Sequence, residues 1–287
     1  MIAPTATSGT SRQPAAADPL EAALQQARTD GDRAQVRGLE TWRELTSLLR
    51  DKRPEGALSK LEAWQKEEAR ETADTPSPAA PQPAAATELR PPTTAPEVLA
   101  ALHDPALPDC LRALTAVKRW QTADEAAPAL AGALRHPLTR AEAHNLLGVL
   151  AAEAGLQAQA TEAFARALAA DPGHYRALTN RAGLAAEQGD YAAAETDLRR
   201  ALQLNPDHHA AHQNLAVVLR QQGKRSEAVR AMRRAQRLDY RRSGARNNDQ
   251  ARRELSGLSR VPRAVWIVAG LLLFFGWLWL SGGAGRP

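Results

Sequence analysis

One interval governs this sequence, and it is 34 residues long. Gly155, Gly189 and Gly223 are spaced by it, as are Ala160, Ala194 and Ala228, then Ala167, Ala201 and Ala235. Pro172 and Pro206 share the offset, and Phe164, Leu198 and Met232 form a column that is large and apolar in every copy. A fixed period of this length means one supersecondary unit, too small to bury its own apolar face and stacked on copies of itself. Composition makes the unit helical. Ala is abundant while β-branched and aromatic residues are sparse, so residues that lose little entropy in a helix dominate. Small residues at fixed spacing let the two helices of a unit approach closely, and the large apolar column fills the space between units. The glycine ends a first helix in a left-handed cap, and the proline breaks the chain between units.

This pattern resembles the tetratricopeptide repeat, over three units at 141–174, 175–208 and 209–242. Leu147 and Gly148 stand at that family's Leu-Gly pair, replaced by Arg181-Ala182 in the second unit and by Leu215-Ala216 in the third. Tyr240 stands where the third proline belongs, as suits a terminal unit. Ala251, Leu255 and Leu258 share a face that offers a closing helix over 248–258. The fold class expected is all-α, a helix–turn–helix repeat solenoid.

The resemblance implies that first-helix residues line a concave surface for a peptide or helix of a partner protein. The candidates for that groove are Asn145, Arg176, Thr179, Asn180, Gln213, Asn214 and Arg220. Asn180 and Asn214 are 34 residues apart, so they form a short ladder of amides matched to a peptide backbone, or else are solvated surface groups. Arg176 and Arg220 favour an acidic ligand. Asn180 also matches one member of the carboxylate clamp of chaperone-binding relatives. Asn145, Val149, Ala210 and Asn214 depart from the rest of it, so an internal peptide or helix is the expected ligand. The alternative is a structural, membrane-organising protein that self-associates through its repeats.

Upstream, Ala126, Leu130 and Ala133 keep the column spacing, which marks a degenerate unit within 99–140. Residues 18–71 form a helical hairpin. It starts at Asp18-Pro19, breaks at Arg53-Pro54, and carries apolar faces through Trp42, Leu45 and Leu49, then Ala57, Leu61 and Trp64. Between these parts, 72–98 is an Ala/Pro/Thr-rich linker with no core of its own. Residues 1–17 are a small, polar, disordered tail with neither the basic start nor the apolar run of a signal peptide.

At the other end, Ala264 to Leu280 contains no charge, and as a helix it spans about 25 Å. A single transmembrane helix is expected over 264–281, with 282–287 as a far-side tail. Trp266, Trp277 and Trp279 sit at its ends, and Arg252, Arg253, Arg260 and Arg263 flank it. From Lys224 to Arg263 there are thirteen Lys or Arg against four Asp or Glu, a net +9 in a chain of net +5. The positive-inside rule places the N-terminal bulk in the cytoplasm, and the basic segment 243–263 suits anionic lipid. The Arg-, Ala- and Pro-rich composition suits a GC-rich bacterial genome, hence a bacterial inner membrane. Nucleic acid is not expected, because no aromatic interleaves the basic stretch except Tyr240 and no base-reading motif is visible.

No catalytic motif is present: no phosphate-binding glycine loop, no HExxH, and no nucleophile in a recognisable setting. The single Cys110 excludes an internal disulfide and reads as a small buried residue. Seven histidines suggest a metal, but His174 and His208 are 34 apart and His144 and His212 are 68 apart, so they are repeat positions. The expectation is a non-enzymatic interaction scaffold without cofactor or metal.

Overall fold

The period becomes pairs of helices. The computed structural model describes residues 19–74, 91–118 and 120–258, and these are helical with no strand among them. The first unit is α8 (Arg140–Glu153) with α9 (Gln157–Ala170), as numbered along the chain. The second is α10 (Tyr175–Glu187) with α11 (Tyr191–Leu204), and the third is α12 (His209–Gln221) with α13 (Arg225–Leu258). Each first helix ends identically. Gly155, Gly189 and Gly223 adopt φ of +75, +83 and +77°, and the residue after each donates to a carbonyl five residues back. This is the left-handed cap that glycine adopts without a Cβ penalty.

Packing follows the columns. Ala160, Ala194, Ala167, Ala201 and Ala235 are buried, and Phe164 and Leu198 fill the space to the next unit. Met232 does not, being 39% exposed. The reason lies eight residues later. Pro172 and Pro206 directly follow the C-caps of α9 and α11, but Tyr240 holds the backbone N–H that a proline lacks. The chain therefore continues as one 34-residue helix, and the separate closing helix expected over 248–258 is instead the far end of α13. No further unit covers Met232 among the described residues. Replacing Tyr240 with proline should end α13 near this point, at a cost of about 3 kcal/mol to the helix. Trypsin should then cut at Arg241 and Arg242 much faster than in the parent, and unchanged digestion would contradict the account.

Upstream, Ala126, Leu130 and Ala133 are fully buried at their column positions. The second helix of this degenerate unit is broken into α6 (Ala123–Ala126) and α7 (Ala131–Arg135), with Pro128 between them; α5 (Leu107–Ala116) is its first helix. The expected hairpin is three helices: α1 (Pro19–Thr29), α2 (Arg33–Arg50) and α3 (Pro54–Asp74). The additional break falls at Gly31, with φ +72°. The linker is shorter than its composition suggests, because α3 reaches Asp74 and α4 (Ala95–Leu102) buries Val98 against the N-terminal core. Residues 1–18 and most of the linker, 75–90, lie outside the described residues. One core joins α1 through α8, including buried Cys110, whose thiol burial pushes above its ordinary pKa.

The expected single-pass membrane location is corrected. Among the described residues no helix is long and apolar enough to cross a membrane. The two longest, α3 and α13, carry charges throughout their length. Ala264–Leu280, with Arg260, Arg263, Trp266, Trp277 and Trp279, lies outside the described residues. Arg252 and Arg253 fall within α13.

Candidate functional site

The first helices α8, α10 and α12 pack side by side, which brings most of the expected groove residues onto neighbouring elements. Their side chains divide sharply between structural and accessible roles. Asn145 is fully buried and donates from Nδ2 to Glu142 Oε2 at 3.2 Å. Asn180 donates from Nδ2 to Asn145 Oδ1 at 2.9 Å. It therefore reaches back to α8, so part of its amide is engaged within the repeats. Thr179 is buried and donates to the Tyr175 carbonyl at 2.9 Å. Asn214 is half-buried without a hydrogen-bond partner among the described residues, while Gln213 and Arg220 are exposed.

Glu142 is the centre that the sequence reading missed. Its side chain is 2% exposed and accepts from His174 Nε2 at 3.0 Å, from Arg176 Nη1 at 3.0 and 3.2 Å, and from Asn145. His174 caps α10, its Nδ1 accepting from the Ala177 N–H at 3.1 Å, which leaves its proton on Nε2 for Glu142. Burial alone would raise the Glu142 pKa. The bond from His174 and the charge of Arg176 outweigh it and hold the carboxyl below its ordinary range. One signal was available: Glu142 and Arg176 are 34 residues apart, so opposite charges stand at one repeat position in adjacent units.

A second set of contacts comes from far upstream. Arg50, at the end of α2, donates through Nε and Nη2 to Asp171 at 2.7 and 2.6 Å. Asp51 accepts from the Tyr175 hydroxyl. Burial opposes ionisation of Asp171, yet the Arg50 hydrogen bonds and charge hold its pKa below the usual value. The Tyr175 hydroxyl is pushed up to about 12 by burial and by Asp51. These contacts lay the α2–α3 turn against the first-helix face. Between them is a cleft of about 490 Å³, lined by Lys52, Arg53, Glu55, Leu114, Val117, Lys118, Leu146 and Val149, among others. Glu142, Leu146, Val149 and Glu153 follow helical spacing, so the cleft runs along one stripe of α8.

Family models agree with the helix pairs. A family model described as Tetratricopeptide repeat matches residues 185–243, and another of the same description matches 110–175 and 157–206. Among similar solved structures, a crystal structure of MamA is 20% identical, covering 42% of this chain and 71% of that one at a TM-score of 0.38. Another crystal structure of MamA protein is 14% identical over 78% of this chain and 92% of that one, at 0.38. A structure described as MamA MSR-1 C2 is 16% identical over 72% and 98%, at 0.35. No curated protein matches the chain. The family matches begin inside α5, at the degenerate unit, and end within α13: residues 110–243 are an array of tetratricopeptide repeats.

Proposed function

We propose that this chain is a non-catalytic protein-interaction scaffold that holds a peptide or helix of a partner against the first-helix face of its repeats. The observation that carries the reading is the cleft along α8, where Leu146 and Val149 are only partly covered and are open to an apolar ligand. Downstream on the same face, Gln213, Asn214 and Arg220 extend the surface with polar groups not committed to internal bonds among the described residues. Asn145 and Thr179 belong to the scaffold instead, because both are buried and bonded within it.

A second reading is favoured by one specific feature. Val229, Met232 and Tyr240 are exposed along α13, the last helix of the stack among the described residues. Two such ends pairing would join copies of the chain, because a solenoid without a polar cap presents unsatisfied apolar surface. Cross-linking of the intact chain separates the two readings when run with Val149→Arg and with Met232→Glu. The groove reading expects loss of partner cross-links in the first variant only. Loss of self-cross-links in the second variant, with partner cross-links unaffected by the first, would favour assembly instead.

A further inference from the structure

We infer that the cleft under the α2–α3 turn takes a short extended peptide in which apolar side chains are accompanied by an acidic one. This deepens the groove reading and rests on it. The apolar demand comes from the floor, built by Leu146, Val149 and Leu150 of α8 with Leu114 and Val117 at the end of α5. A volume of about 490 Å³ is in the range that encloses a few side chains.

The acidic demand comes from the roof and rim. Lys52, Arg53 and Lys118 border the cleft, and none has a side-chain hydrogen bond or ion pair among the described residues. The carboxylates of the cleft do not balance them. Glu142 is consumed by His174, Arg176 and Asn145, and Glu153 has a polar partner of its own, which leaves Glu55 alone. Three cations without a protein partner among the described residues therefore stand against one anion, over an apolar floor. A ligand carboxylate gains charge-assisted hydrogen bonds there, while its apolar side chains cover the floor.

Lys52 adds an independent sign. It occupies the left-handed cap position of α2 at φ +59°, with Lys52 N–H bonded to the Leu49 carbonyl and Arg53 N–H to that of Leu48. Glycine fills this position at Gly31, Gly155, Gly189 and Gly223, and an L-residue adopts it at a cost. A cation thus stands where the backbone alone favours glycine. Two of the three cations come from outside the repeats. Arg50–Asp171 and Asp51–Tyr175 tie the turn that carries them to the α9–α10 junction, beside α8.

The test uses the purified full-length chain and fluorescence anisotropy with two pools of fluorescein-labelled octapeptides. Both pools carry Leu, Val, Phe or Ala at five positions; the other three are Glu in one pool and Lys in the other. The Glu pool should bind at least about tenfold more tightly than the Lys pool, as expected for charge-assisted bonds. Lys52→Gly with Arg53→Ala and Lys118→Ala should remove that preference without lowering the melting temperature, because all three side chains are exposed. Val149→Arg should abolish binding of both pools. Equal binding of the pools, a preference for Lys, or a Glu preference that survives the triple variant would overturn the assignment of ligand charge while leaving the groove reading intact. Binding of neither pool would remove both.

Discussion

Glu142→Ala should destabilise the fold by about 3–5 kcal/mol, the range for removing one partner from a buried, hydrogen-bonded charge cluster. The carboxylate satisfies three donors at once, from His174, Arg176 and Asn145, and none of them gains a new acceptor when it is truncated. Asn145 in turn holds Asn180, so the loss propagates along the face shared by α8 and α10. The effect depends on pH in a direction set by the carboxyl. Its folded-state pKa is lowered, so its contribution is fully present above the unfolded value of about 4.3 and is lost as pH falls through the folded value. Urea unfolding of parent and variant should therefore differ most near neutrality and converge in acid. A variant within about 1 kcal/mol of the parent at pH 7 would show that the cluster is not a structural keystone.

Phe164→Ala should cost a similar amount, about 3–5 kcal/mol, because a fully enclosed aromatic ring leaves a cavity that helices cannot collapse into. Phe164 lies in a small core with Ala151, Ala160 and Leu184, which joins the first unit to the second. The ring also explains Gly148. A Cβ built there would meet Phe164 ring atoms at 2.6, 2.7 and 3.0 Å, so Gly148→Ala should cost about 1–3 kcal/mol through overpacking. The two effects are coupled. In a Phe164→Leu background the shorter side chain frees the space, and the Gly148→Ala penalty should fall by more than about 1 kcal/mol. A double-mutant cycle by chemical denaturation measures this directly. Additive losses would mean that the ring is not what excludes a side chain from position 148.

Residue by residue, legibility followed sequence separation. The 34-residue columns announced the helix pairs, the glycine caps and the buried alanines, because each unit repeats the same local solution. They extended even to Ala126, Leu130 and Ala133, whose register survives a broken helix. The column failed at Met232, since burial there requires a next unit that periodicity alone does not supply. Gly31 lies outside the repeat period, and its break in the N-terminal helices went unread.

The site was less legible. Asn145 and Asn180 do share a face, but whether an amide meets a ligand or a neighbouring helix depends on distances between side chains, and here Asn145 is spent inside the scaffold. By itself the sequence determined the repeating helical unit and its caps, because backbone conformation and small-residue spacing are local properties. Only the tertiary structure decided that Arg50 meets Asp171, 121 residues away, and that Asp51 meets Tyr175, 124 residues away. Such contacts leave no periodic trace, since they are single pairings made once by the path of the whole chain. They bring Lys52 and Arg53 over the apolar stripe of α8 and make a cleft from parts that share no local pattern.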